Sequence, residues 1–239
     1  MRGSFPRQVN PRRYGRRAYD RDNVGSTLEY LALYYVHGMF LPRFAVCAMP
    51  EQLFLPGFEC NLATDVLFFA LLLGAENASQ IVQLRERLCE ESGLSGHRVA
   101  ANLLHISLHG IGAYDGLPRA VVQRAKEAGA AVLAKPFDIV LDRAMSFGPK
   151  REVRPLVLRS GDEAALVTFH RLLGGAMKHV GFRRIAPRFT PHMTLLYGDR
   201  TVVERSIDAI RWTVRDFVLV QSLRGRSKYI HLARWPLRG

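Results

Sequence analysis

Apolar residues fall into two rhythms along the chain. Residues 66–73 (VLFFALLL) form an unbroken apolar run between Asp65 and Gly74, the pattern of a strand buried on both faces. Residues 77–91 set Ile81, Leu84 and Leu88 at helical spacing, and Gly93 supplies a stop. Residues 103–111 alternate as a strand. Residues 117–132 gather Val121, Val122, Ala125 and Ala128 on one side of a helix. Residues 137–141 (FDIVL) and 156–158 predict two more strands. Residues 163–180 predict a helix with Leu166, Phe169, Leu172 and Leu173 on one face. Three strands follow, over 193–197, 213–220 and 229–233. The stretches 148–153, 181–190 and 222–228 are rich in Arg, Gly and Pro and read as loops.

A repeat lies inside this order. A strand around Leu67, a helix and a strand headed by His105 form one unit. A strand around Leu156, a helix and a strand headed by His192 form another of similar length. The heads of the two second strands share a pattern: His105-Ile106-Ser107-Leu108 and His192-Met193-Thr194-Leu195. Strand side chains alternate between faces, so His105 and Ser107 point one way, as do His192 and Thr194. Ile106, Leu108, Met193 and Leu195 then pack the opposite face. Each unit thus presents one imidazole beside one hydroxyl on a polar face.

Two such pairs facing one cleft suit phosphoryl chemistry. Imidazole titrates near pH 6.5, so one ring can be neutral while the other is charged, as concerted base and acid work requires. Hydroxyls donate to non-bridging phosphate oxygens, where transition-state charge grows. Acid and base on opposite sides of a phosphorus serve an in-line displacement, with no metal and no other cofactor required.

On HISL and HMTL the chain resembles the 2H phosphoesterase superfamily, and within it the bacterial 2′-5′ RNA ligase family, also described as RNA 2′,3′-cyclic phosphodiesterases. Thr64-Asp65 through LFFALL, Phe189-Thr190-Pro191 and the final segments FVLVQSL and YIHLARWPL add to the resemblance, which spans about residues 53–237. It implies an α+β, bilobal, pseudo-symmetric fold: two antiparallel sheets, helices outside, and both motifs lining a central cleft. It implies hydrolysis of an RNA terminal 2′,3′-cyclic phosphate to a 2′-phosphate, and in reverse a 2′-5′ ligation. Carried over by motif, His105 protonates the leaving 3′-oxygen, His192 activates water, and Ser107 and Thr194 hold the phosphate. Ser107 stands where Thr is usual, and it keeps the hydroxyl donor. Two rival readings use the same cleft: an RNA-end-binding module without catalysis, and a 2H enzyme acting on small cyclic nucleotides or 2′-5′ oligonucleotides.

Composition bears on the partner. Lys plus Arg total 34 against 21 acidic residues, a formal charge of +13, which favours a polyanion such as RNA. Arg outnumbers Lys 29 to 5, a bias that codon composition also produces. Cys47, Cys60 and Cys89 are odd in number and lack metal spacing, which excludes a disulfide framework and fits a reducing, cytoplasmic setting. No apolar run reaches the length of a membrane helix, and no protein partner is evident.

The first 48 residues differ in character, with eight Arg and three acids, and residues 1–23 show no periodicity. They read as a disordered or non-native extension, with a basic RNA-gripping arm and a targeting peptide as the competing accounts. Met49 then opens the native chain, residues 49–239 form the single bilobal domain, and folded structure begins near Leu62. His105 and His109 have H-x3-H spacing, but on a strand with no third ligand this does not read as a zinc pair; His109 is expected to border the cleft. Arg183, Arg184 and Arg188 precede the second motif and are candidates for RNA phosphate contacts. Phe68 or Phe69, Tyr197 and Tyr229 are candidates for base stacking, with core packing as the commoner role of aromatics.

Overall fold

The structure is a computed structural model, and it describes residues 65–147, 154–186, 188–223 and 226–238. The expectations for the N-terminal 48 residues, for Cys47, Cys60 and Leu62, and for the 148–153 loop fall outside these residues. Nine strands and three helices are described. In chain order they are β1 (Asp65–Leu72), α1 (Ala75–Ser92), β2 (Gly96–Arg98), β3 (His105–Tyr114), α2 (Arg119–Ala130), β4 (Phe137–Ser146), β5 (Arg154–Arg159), α3 (Ala164–His179), β6 (Met193–Gly198), β7 (Arg205–Val214), β8 (Asp216–Leu223) and β9 (Lys228–Pro236). A single 3₁₀ turn, Ala101–Leu103, leads into β3.

Every strand pairing is antiparallel. The order across the sheet is β7-β4-β5-β6-β3-β1-β8-β9, with β2 added on β6. The order has a palindromic sense about its middle. The units β1-α1-β3 and β5-α3-β6 occupy equivalent places, which is the internal repeat expected from the sequence. The two halves meet at one registered pair, Ile106↔Met193. Beyond it the strands diverge, and β6 pairs instead with β2 through Gly96↔Gly198 to Arg98↔Leu196. The bilobal α+β architecture is therefore two antiparallel halves whose central strands, β3 and β6, share one registered pair.

Residue chemistry explains the core. β1 lies between β3 and β8, and seven of its eight residues are buried. Its Leu67, Phe69 and Leu71 enter the main core, while Val66, Phe68 and Ala70 join Val218 and Val220 on the other face. That two-sided burial is why its sequence reads as continuously apolar. The helix α1 buries Ile81, Leu84 and Leu88, and Gly93 ends it in the left-handed conformation at φ 57°.

Helices cross between the halves. The helix α1 follows β1 but lies against β7 of the other half. Asn77 donates to the Arg211 carbonyl at 3.1 Å, and Arg205 pairs with Glu91 at 2.6 Å. The helix α3 follows β5 yet touches β3. There His109 Nε2–H donates to the His170 carbonyl at 2.9 Å, and the two rings stack at 3.7 Å. His170 also stacks on Phe189 at 4.1 Å and an interplanar angle of 2°. This ring stack ties β3, α3 and the loop before His192 into one assembly.

Three sequence expectations change. The run 213–220 is extended throughout but changes partners at Arg215. Its first part ends β7, paired with β4, and its second part begins β8, paired with β1. A one-residue link between strands so far apart in the order requires a strongly curled sheet. Leu237 N–H closes the same corner by donating to the Arg215 carbonyl at 2.7 Å. Most of β7 was invisible to periodicity because it is an edge strand with exposed residues on both faces. His109 does not border the cleft. The β1–β3 register jumps from Ala70↔Ser107 to Phe69↔His109, so Leu108 is an extra residue. That bulge reverses the alternation and turns His109 onto the helix side, away from His105.

Two outcomes follow from this packing. Gly96 has φ 149°, and a Cβ there would lie 2.0 Å from the Tyr197 carbonyl oxygen. Gly96→Ala is expected to cost on the order of 2–3 kcal/mol in chemical denaturation, the scale of forced strain at a packed site. Burial holds His170 down at about 3, and burial also lowers His109. Both stay neutral in the folded chain while the unfolded chain takes up protons near pH 6.5. Their contribution is therefore present above about pH 6.5 and lost as pH falls below it. Thermal melts should show a lower midpoint at about pH 5 than at about pH 7.5, and a smaller acid loss in His170→Phe, which keeps a ring without the titration.

Candidate active site

The Ile106↔Met193 pair generates the site. Both side chains are wholly buried in the main core. Side-chain alternation about this pair turns His105 and Ser107 of one strand, and His192 and Thr194 of the other, to the opposite face. The four residues singled out by the two motifs are thus brought to one place across the junction of the halves. His105 is the first residue of β3, and His192 immediately precedes β6.

Each imidazole is held in the same way. His105 Nδ1–H donates to the Leu103 carbonyl at 2.8 Å. His192 Nδ1–H donates to the Thr190 carbonyl at 2.7 Å. In both cases the acceptor lies two residues upstream, in the turn that delivers the strand. Such a bond selects the Nδ1–H tautomer and leaves Nε2 as the basic atom. His105 Nε2 accepts from the Ser107 hydroxyl at 2.8 Å, so the first motif is closed on itself in the free protein.

Aromatic rings back both histidines. Phe68 lies 5.2 Å from the His105 ring and Tyr229 lies 5.5 Å from it, edge-on. Phe147 lies 5.0 Å from the His192 ring. Burial accordingly favours the neutral imidazoles. It lowers His105 to about 4, against the bond to Leu103, with a smaller contribution from His192. Burial also lowers His192, with a smaller contribution from the Arg159 guanidinium.

The other sequence candidates separate. Phe68 and Tyr229 reach the site, whereas Phe69 and Tyr197 belong to the main core. Arg183, Arg184 and Arg188 lie on the loop that leads into the second motif, and all three are exposed. Among the described residues no three His, Cys, Asp or Glu side chains group as metal ligands. Arg159, Phe147 and the Leu103 and Thr190 carbonyls were not foreseen. The carbonyls carry no side-chain signal. Arg159 is brought to His192 by pairing between strands distant in sequence: Leu158 pairs with Met193, which sets Arg159 beside His192.

Known proteins share this arrangement of elements. The structure of E. coli LigT in apo form matches 74% of this chain and 100% of its own at 28% identity, with a TM-score of 0.58. A crystal structure described as a phosphoesterase matches 73% of this chain and 99% of its own at 26% identity, TM-score 0.57. TT0787 of Thermus thermophilus shares the fold at 21% identity, covering 73% of this chain and 98% of its own, TM-score 0.59. No curated protein sequence matches the chain. Among the described residues, no helix is long and apolar enough to cross a membrane. Residues 77–226, which include both histidine motifs and the strands that pair them, match the family model of the 2′-5′ RNA ligase superfamily. The chain belongs to that superfamily, a group of 2H phosphoesterases.

Proposed function

We propose that the protein hydrolyses the terminal 2′,3′-cyclic phosphate of RNA to a 2′-phosphate by two-histidine acid/base catalysis, with 2′-5′ ligation as the outcome when an RNA 5′-hydroxyl takes the place of water. The observation that carries this reading is the matched anchoring of His105 and His192 through Nδ1–H, which leaves one Nε2 on either side of the Ile106–Met193 junction. E. coli LigT is solved in complex with phosphate and with 3′-AMP, which supports a nucleotide phosphate as the kind of ligand this protein takes.

The chemistry follows from these positions. His192 Nε2 takes a proton from water as the water oxygen attacks phosphorus. The bond from phosphorus to the 3′-oxygen breaks, and protonated His105 delivers its Nε2 proton to that oxygen. The 2′-ester bond remains. Ser107 and Thr194 donate to the non-bridging oxygens, where negative charge grows. For ligation an RNA 5′-hydroxyl attacks the cyclic phosphate in place of water, and the 3′-oxygen again leaves.

Both imidazoles are held below their ordinary range in the free protein, so the acid is not charged in advance. A phosphate anion beside His105 reverses that balance, since an opposite charge favours the protonated ring. Proton loading of the acid thus accompanies substrate binding, and Ser107 exchanges its bond to His105 for one to phosphate.

Activity on a nucleoside 2′,3′-cyclic phosphate tests the assignment. His105→Ala and His192→Ala should each lower kcat by at least roughly 10²-fold with the fold retained, the usual worth of a general acid or base. Near-normal turnover in either variant would remove the two-histidine mechanism. Ser107→Ala and Thr194→Ala should cost less, because each removes one of several phosphate donors.

The pH profile supplies a separate check. The rate should be bell-shaped, since base and acid must differ in protonation, and the apparent values belong to the coupled pair. The acid limb should lie below about pH 6.5, the ordinary imidazole value, because the free rings are depressed. The basic limb of kcat should lie at higher pH than that of kcat/KM, because bound phosphate raises the acid. Coincident basic limbs would contradict proton loading by the substrate.

A further inference from the structure

The two halves of the site match in their histidines, carbonyl anchors and hydroxyls, but not in charge. The cation that bears on His192 is Arg159, at the end of β5. Two contacts and one strand register hold it. Its Nη2 donates to Glu163 Oε1 at 2.5 Å, four residues on at the start of α3. Its guanidinium lies 5.8 Å over the Phe147 ring, the same ring that packs on His192. The Leu158↔Met193 pairing puts its side chain on the face of His192 and Thr194.

One buried donor is left without an acceptor. Arg159 Nε is buried and has no acceptor among the described residues. A buried N–H without a partner is costly, and a charged one more so. Glu163 satisfies one end of the fork and fixes its position, while the Nε edge has no acceptor. The ring beneath and the ion pair beside it restrict the side chain, so little freedom remains to be lost on binding.

We propose that Arg159 is a phosphate-binding residue of this cleft, its Nε–H donating to a non-bridging oxygen of the substrate's phosphate beside Ser107 and Thr194. The proposal rests on the two-histidine reading above. It adds a fixed guanidinium, ion-paired on its far edge with Glu163, to two neutral hydroxyls, so the charge that develops in the displacement meets a charge-assisted donor on one side. The same cation, next to His192, opposes protonation of the ring assigned to activate water. It thus distinguishes the base from the acid in a site that is otherwise nearly symmetric.

The test is a titration of the full chain with inorganic phosphate, followed through the histidine ring signals by NMR. In the unaltered protein, phosphate should perturb both His105 and His192. Failure to do so would overturn the two-histidine reading itself, and this proposal with it. In Arg159→Met, phosphate affinity should fall roughly tenfold to a hundredfold, the worth of one charge-assisted hydrogen bond. In the same variant, the His192 ring should titrate at higher pH without phosphate, a change that a purely structural residue would not produce. Arg159→Lys should restore the His192 titration while recovering only part of the affinity, because it keeps the charge and loses the fork. Unchanged phosphate affinity in Arg159→Met would overturn the proposal and leave the histidine assignment standing. Should the Met variant fail to fold, unchanged affinity in Arg159→Lys would overturn it equally.

Discussion

The structure depends on one antiparallel pair, Ile106 against Met193, at the middle of the strand order. The two side chains are wholly buried, so their desolvation fixes which face of each strand is core. The opposite face then receives His105, Ser107, His192 and Thr194. A slip of one residue in either strand would turn its imidazole into the core and its apolar residues into the cleft. The halves are further locked by exchanged helices, with α1 on β7 and α3 on β3, and by the His109–His170–Phe189 stack. The fold therefore holds two separately encoded strands in one register while letting them diverge on either side of the contact.

Electrostatics follows from the same packing. Rings and strands around the two histidines remove water and favour neutral imidazole, while backbone carbonyls fix which nitrogen carries the proton. A site of this kind is poised for an anion. In the proposed reaction the free protein lacks the charge that the acid needs, and an anionic phosphate would supply the field that restores it.

Much of this was readable in the chain. The apolar run of β1, the helical spacing with Gly93 at its end, and the two His-x-hydroxyl motifs all report local periodicity, which burial on both faces or on one face imposes directly. Their doubling pointed to the pseudo-symmetry. Other features depend on pairing between distant residues and leave little local trace. The edge strand β7 buries too little for its alternation to show. The change of partner at Arg215 occurs within an uninterrupted extended run. The bulge at Leu108 moved His109 from the cleft to the helix side, where it meets His170, although strict alternation from His105 puts it in the cleft. Arg159 lies far from both motifs in sequence and acquires its neighbour only through the β5–β6 register.

The central claim is that two imidazoles alone carry both proton transfers and that His105 serves the 3′-oxygen. The most direct measurement is the product formed from an RNA ending in a 2′,3′-cyclic phosphate, in excess chelator, identified by its terminal phosphate. The account predicts undiminished conversion to a 2′-phosphate end with no 3′-phosphate. An unchanged cyclic end, or conversion that returns only when a divalent ion is restored, would contradict the two-imidazole chemistry. A 3′-phosphate end would contradict the placement of His105 on the 3′-oxygen.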